Sequence, residues 1–378
     1  MKLKIYKGAE EIGGNAIAIT CKDTSILLDY GMPFDKKHNK INEKIDAVLI
    51  SHAHEDHFGL INKIKAPIYC GKITKKLINI KKGFQNNFKT IYDNKPFKIK
   101  DFTITPYLMD HSAIDSYAFF IEADNKKIFY TGDFRAHGRK KSLFYKLLDN
   151  SKLKNIDVLL TEATNISKEY KYYSEEQVEE DMLKTLKRNF NKGAILISSS
   201  QNIDRLVSAF KAAIKSKRIF VIDIYTAYIL EQMQKSIPKI TWKNVKVVKY
   251  NDKYLKKSKS FKLKVFRNFV KKEELLKNPQ KYFLKIPVNK IHHYIDKYPI
   301  LIYSMWSGYI ENNEVLKKYE KKFRKIHASG HVYIEDLEKL INTLKPKRII
   351  PIHTEDKKSM LEFDNVVFLN NLGTFEIN

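Results

Sequence analysis

Residues 51–60 read SHAHEDHFGL, with histidines at 52, 54 and 57 and carboxylates at 55 and 56, the densest set of potential metal ligands in the chain. The stretch follows the apolar run DAVLI (46–50), so its ligands begin where a strand is expected to end. His52 and His54 are two apart and project to the same side of an extended segment. Asp56 and His57 follow at once, and on a turn entering a helix they can face a second point beside the first. Zinc takes imidazole nitrogen and carboxylate oxygen readily, with Zn–N of about 2.0–2.1 Å. One cluster can therefore seed two adjacent metal sites.

Four ligands do not complete two sites, so further histidines and a bridging carboxylate are expected at other strand ends. They are present: His111 follows TITPYLMD, Asp133 closes KIFYTGD and His353 closes RIIPIH, and Asp29 likewise ends the strand SILLD. An αβ protein gathers its reactive side chains at such strand-to-loop boundaries. His38, His137, His292 and His293 lack that setting and read as surface residues. Cys21 and Cys70, the only cysteines, sit in apolar runs, which argues against a disulfide framework and a thiolate zinc site.

Composition narrows the setting. The chain has 378 residues, 43% of them hydrophobic, enough for two or three domains with real cores. Lys+Arg 70 against Asp+Glu 43 gives a net charge of +27, which suits a polyanionic partner and salt-sensitive binding. The same charge also suits a generally lysine-rich surface, so it does not identify nucleic acid by itself. The opening MKLKIYKGAEEIGG has no apolar signal-peptide stretch, and no run reaches the roughly 18 apolar residues of a membrane span. The expectation is a cytoplasmic protein with no membrane partner.

The first 169 residues alternate short β-rich runs with turns, as in NAIAITC, SILLDYG, FTITPYLMD and SYAFFIEA. From Ser174, a plausible helix cap, the pattern changes to the helical period of EEQVEEDMLKTLKRNF. AILISSS, NIDRLVSAFKAAIKS and RIFVID then read as a βαβ unit in a parallel sheet. Lysine-rich, weakly periodic sequence (KKSKSFKLKVFRNFVKKEELLKN) precedes the strand YPILIYSM. In FKLKVFRNFVKK lysines and aromatics interleave, a composition able to hold phosphates and stack bases, although alternating aromatics are more often core. Residues 170–322 are thus expected to form a basic domain inserted into a first domain. That first domain resumes over 323–378 with KRIIPIH and NVVFLN around the helix YIEDLEKLINTLK.

SHAHEDHFGL, with LLDYG, His111 and Asp133, resembles the core motifs of the metallo-β-lactamase superfamily. TEATN at Glu162, HASGH at His331 and PIHTE at His353 resemble the additional motifs of its β-CASP nucleases, especially ribonuclease J and its relatives, as do GAEEIGGNAIAI and SSSQNIDRLVSAFKAAIKSKRIFV. The resemblance spans nearly the whole chain. It implies an α/β fold, a metallo-β-lactamase αββα sandwich with an inserted α/β β-CASP domain, and a ribonuclease, since the histidine of the last motif accompanies RNA-cleaving members. Before its HxSGH motif ribonuclease J carries a TGxQGE-like stretch; here the comparable place reads IYSMWSGYIENN.

The resemblance also assigns roles. His52, His54 and His111 would hold one Zn²⁺, Asp56, His57 and His353 the other, with Asp133 between them; Mn²⁺ or Mg²⁺ are alternative occupants. Asp29 would fix a ligand imidazole from behind. Asp56, Glu162 and His331 form the expected catalytic set, with His331 the leaving-group acid or phosphate donor, oriented by Glu162. His327 and Ser329, next to the start of helix YIEDLEKL, would contact a neighbouring phosphate. The expected partner is RNA, in single-stranded form. A small-ester or lactam hydrolase on the same metal core, or a non-catalytic RNA-binding relative, are the alternatives.

Overall fold

The computed structural model describes residues 1–35, 37–38, 40–83, 87–167, 174–233, 237–250 and 253–378. The chain divides into two compact units, 1–171 with 330–378, and 172–329.

The first unit begins with β1 (Lys2–Lys7), β2 (Ala16–Cys21), β3 (Thr24–Leu28), β4 (Ala47–Leu49), β5 (Ile68–Gly71) and β6 (Phe88–Ile91). It continues with β7 (Phe97–Ile99), β8 (Phe102–Met109), β9 (Ser116–Ala123), β10 (Lys126–Tyr130) and β11 (Val158–Glu162). The second unit supplies β12 (Ala194–Ile197), β13 (Ile219–Asp223), β14 (Val245–Val248), β15 (Tyr282–Lys285), β16 (Ile300–Tyr303) and β17 (Phe323–Lys325). The chain then returns to the first unit as β18 (Arg348–Ile352) and β19 (Thr374–Glu376).

In the first unit one sheet has the order β19-β1-β2-β3-β4-β5-β6 and the other β18-β11-β10-β9-β8-β7. The alternation of β9 explains how the sheets stack, because successive side chains of a strand point to opposite faces. Tyr117, Phe119 and Ile121 join Ile5, Ile17, Leu28 and Leu49 in the core between the sheets. Ala118 and Phe120 face the other way, onto a layer that includes helices Ser142–Leu148 and Ile334–Leu344. The outer face of the first sheet is covered likewise, with Phe58 and Ile78 packed on Leu27, Val48 and Ile68. The unit is therefore the expected αββα sandwich.

In the second unit the six strands run β14-β13-β15-β12-β16-β17, and every neighbouring pair is parallel. Helix Glu175–Arg188 opens on a complete capping box, Ser174 with Gln177, worth about 1 kcal/mol. The lysine-rich stretch forms helices Lys259–Arg267 and Lys272–Lys277. Phe261 there is core, whereas Phe266 and Phe269 are exposed.

Two boundaries differ from expectation. The second unit ends at 329, because Phe323–Lys325 adds to its sheet beside β16. NVVFLN forms no regular strand; Val366 makes a single bridge to Ile349. No helix among the described residues is long and apolar enough to cross a membrane.

Candidate metal centre

Loops at the ends of β4, β8, β10, β11 and β18 deliver the candidate residues of the first unit to one place. The short helix Glu55–Phe58 is pinned by its backbone: Asn15 N donates to Asp56 O (3.1 Å), Tyr30 N to His57 O (2.8 Å) and Met32 N to Glu55 O (2.9 Å). Gly31 makes this approach possible, since a Cβ there would lie 1.6 Å from Asp56 O. His353 takes φ +54° and Asp29 φ +56°, left-handed conformations that cost of order 1–3 kcal/mol each outside glycine. His353 is held in place by its N–H, which donates to Gly8 O at 2.7 Å.

Three imidazoles converge. Nδ1 of His54 lies 3.0 Å from Nε2 of His52 and 3.3 Å from Nε2 of His111. Tetrahedral ligands at a metal distance of about 2.0–2.1 Å stand about 3.3 Å apart, so the spacing is that of donors around a single ion. Asp133 completes this group, and Asp56, His57 and His353 form a second. Oδ2 of Asp133 is 3.7 Å from His52 Nε2, 3.1 Å from His57 Nε2 and 3.8 Å from His353 Nε2, between the two groups. Oδ2 of Asp56 is 3.4 Å from His353 Nε2.

The ring nitrogens of His52, His57, His111 and His353 that face away from these groups are occupied, which orients the inward ones. Asp29 Oδ2 accepts from His57 Nδ1 (2.8 Å), Ser51 Oγ (2.8 Å) and Tyr130 OH (2.5 Å). With its proton given to Asp29, Ser51 Oγ accepts from His52 Nδ1 at 3.0 Å. His111 Nδ1 donates to Gly330 O at 2.6 Å. His353 Nδ1 donates to Thr164 Oγ1 (2.9 Å), whose hydroxyl reaches Glu162 Oε2 (2.7 Å).

Three of the imidazoles are held neutral, as metal ligation requires, whereas His57, despite its burial, is raised well above the ordinary histidine pKa by Asp133, Asp29 and Asp56, so a metal there would displace a proton. Burial, reinforced by the neighbouring imidazoles, holds His52 and His111 well below the ordinary histidine pKa, and burial lowers His54 to about 4. Burial opposes ionisation of Asp133, but His353 and His57 outweigh it and keep the carboxyl well below its usual range. Buried atoms without hydrogen-bond partners normally mark a missing group, and here they include His57 Nε2 and Asp133 Oδ1. The donor set therefore fits divalent metal.

His331 stands beside the ligands. Its Nδ1 donates to Glu162 Oε2 at 2.9 Å and lies 3.8 Å from Asp133 Oδ2, and its side chain is 23% exposed. Burial disfavours its cation, yet Glu162 and then Asp133 prevail and raise its pKa to about 9. Glu162 is itself fixed by Phe134 N (2.8 Å).

His327 and Ser329 belong to the second unit. There Arg205, fully buried, donates to His327 Nδ1 (3.0 Å), Ala328 O (3.1 Å) and Ser304 O (3.0 Å) while paired with Glu175 (3.1 Å). His137 is not the expected surface residue. It is buried and stacked on Tyr333 at 4.2 Å, because the loop 134–141 folds under His111. In that loop Arg135, fully buried, pairs with Asp110 (3.6 Å), and Lys140 donates to His111 O (2.9 Å). Thr164, Ser51, Arg205 and Arg135 were not singled out in the sequence, although Ser51 lies inside SHAHEDHFGL, Thr164 inside TEATN and Arg205 inside NIDRLVSAFKAAIKS.

Comparison with known proteins agrees with this geometry. Residues 10–190 match the family described as "Beta-lactamase superfamily domain", and residues 320–363 that described as "Zn-dependent metallo-hydrolase RNA specificity domain". Ribonuclease J of Helicobacter pylori is 25% identical over 94% of this chain and 56% of its own length. Ribonuclease J of Mycoplasma genitalium is 25% identical over 94% of this chain and 68% of its own. The chain thus spans little more than half the length of the first of these relatives. A protein of unknown function from Enterococcus faecalis shares the fold, with a TM-score of 0.80 at 20% identity over 99% of both chains.

Proposed function

We propose, for a chain that belongs to the metallo-β-lactamase superfamily and to its ribonuclease J-like branch, that the site hydrolyses phosphodiester bonds of single-stranded RNA. The observation that carries this reading is two ligand groups with the Asp133 carboxylate between them, 3.7 Å from His52, 3.1 Å from His57 and 3.8 Å from His353, beside a histidine, His331, gripped by Glu162 at 2.9 Å. A hydrolase of small esters has no need of that extra pair, whereas the match of residues 320–363 to an RNA specificity domain supports RNA as the substrate.

On this reading His52, His54 and His111 would hold one Zn²⁺ and Asp56, His57 and His353 the other, with Asp133 available to both. A metal pair supplies charge against the phosphoryl oxygens and lowers the pKa of water. The protein's own groups do the rest. Asp29 and Ser51 set the tautomers of His57 and His52, and Asp56 stands as acceptor for the proton of the attacking water. Water oxygen bonds to phosphorus, the bond from phosphorus to the leaving oxygen breaks, and the His331 imidazolium gives that oxygen its proton. Glu162 holds Nδ1, so Nε2 is the donor. His327 and Ser329 contact a neighbouring phosphate.

The test is purified protein on labelled single-stranded RNA, linear and circular, with and without chelator. Cleavage should vanish with chelator, and His331→Ala should lower it about 10²–10⁴-fold while metal content, measured by mass spectrometry, stays unchanged. Cleavage indifferent to chelator or to His331→Ala would sink the assignment. Linearised circles would place the cut inside the strand.

A further inference from the structure

Where the sequence departs from the TGxQGE-like stretch, residues 302–313 read IYSMWSGYIENN, and two aromatic rings there are neither core nor isolated. Trp306 is 44% and Tyr309 45% exposed, and their rings meet edge to face at 5.4 Å and 84°. We infer that Trp306 and Tyr309 form a stacking platform for one unpaired nucleobase of the RNA, an inference that rests on the ribonuclease reading above.

The platform is built rather than incidental. Trp306 packs over the backbone of Gly308, where a Cβ would meet indole carbons at 2.4–2.6 Å, so this position has no room for a side chain. Tyr303 OH donates to Trp306 O (2.7 Å), and Tyr303 is itself buried and stacked on Phe323 at 5.0 Å. Tyr309 N donates to Trp306 O (3.3 Å) and Ile310 N to Ser307 O (2.9 Å), while Ile310 plugs into the core. Two rings held this way lose little freedom when a ligand stacks on them.

Place and charge favour a nucleobase over another aromatic ligand. Trp306 follows the carboxyl end of β16 and His327 that of β17, and these strands are neighbours paired Tyr303 to Lys325. Adjacent strands are about 4.8 Å apart, so a base platform and the expected phosphate donor leave one edge of the sheet side by side. Ser304, two residues before Trp306, shares the Arg205 guanidinium with His327. Lys317, Lys318, Lys321, Lys322, Arg324 and Lys325 are exposed on the segment that links the two strand ends, suited to backbone phosphates. Base on aromatic, phosphate on cation is how single strands are held without sequence preference.

The chain has two tryptophans, so Trp242→Phe leaves Trp306 as the sole reporter. Metal-loaded Trp242→Phe protein is titrated with a fluorescent-tagged, hydrolysis-resistant phosphorothioate RNA oligomer, following anisotropy for binding and indole emission for stacking. Expected is quenching that saturates with the anisotropy, Trp306→Ala binding weakened about ten-fold, and near-full recovery in Trp306→Phe. In the metal-loaded enzyme the Trp306→Ala loss should fall on KM, leaving kcat nearly unchanged. RNA binding with unaltered Trp306 emission, or equal affinity in Trp306→Ala, overturns the platform and leaves the ribonuclease reading intact. No anisotropy change at all overturns both.

Discussion

Nη1 of Arg205 lies 3.0 Å from Nδ1 of His327, and since a guanidinium can only donate, that ring nitrogen must accept. His327 is therefore held as the tautomer with its proton on Nε2. Nitrogen-15 spectra of the histidine rings should report Nε2–H for His327, and Arg205→Met should free the ring to populate both tautomers. Because the same change removes the ion-pair partner of the buried Glu175 carboxylate and leaves it the Ser208 hydroxyl, stability to urea should fall by about 3 kcal/mol. An unchanged tautomer in Arg205→Met would mean that something else orients the ring.

The Glu162 to His331 contact sets a pH signature in the metal-free protein. The folded pKa of about 9 stands above the unfolded value. Its contribution to stability is thus complete below about pH 6.5, shrinks as pH rises, and is gone above the folded pKa. Proton NMR of the metal-free protein should find the His331 ring titrating far above an ordinary histidine. Glu162→Gln should pull that midpoint down by more than a unit, a shift that would be missing if burial alone governed the ring.

Much of this arrangement was readable from residues. SHAHEDHFGL and the strand ends at His111, Asp133 and His353 pointed to the donors that the fold brings together, because a metal demands particular donor types at loop boundaries that sequence patterns mark. Partners supplied by long-range folding were not readable. Arg205 meets Glu175 across 30 residues and His327 across 122, and nothing local to RLVSAF distinguishes its buried arginine from a surface one. His137 was misread for the same reason: its burial comes from Tyr333, far along the chain. β15, KYFLKIP, was passed over because its lysines disguise a strand at the middle of the second sheet; Lys285 is buried there only because Ser200 and Asp223 receive its ammonium at 2.6 and 3.4 Å.

Metal stoichiometry should separate the shared ligand from the supporting residue. Asp133→Ala removes the carboxylate that lies 3.7 Å from His52 in one group and 3.1 Å from His57 in the other and should leave well under two ions per chain after gel filtration. Asp29→Ala keeps every donor but frees His57 Nδ1, so full occupancy should be reachable with affinity reduced about 10–100-fold. Competition with a chromogenic chelator measures both. Two tightly held ions in Asp133→Ala would place the bridge elsewhere.

Gly31 offers a test of how closely the loop after β3 must approach the ligand helix. A methyl group there would sit 1.6 Å from the carbonyl oxygen of Asp56 and 2.9 Å from His57 N, and these are backbone atoms with no rotamer to escape into. The helix must therefore move, carrying Asp56 and His57 with it. Asp56, His57 and His353 form one ligand group, whereas His52, His54 and His111 lie outside the collision. Gly31→Ala should thus lose one ion of two and most activity, while the melting temperature falls by a few degrees, consistent with a local shift of about 1–2 kcal/mol. Titration of metal into the variant, followed by calorimetry, should give a single binding event in place of two; two intact events would mean that the helix tolerates the displacement and that its position is not set by this glycine.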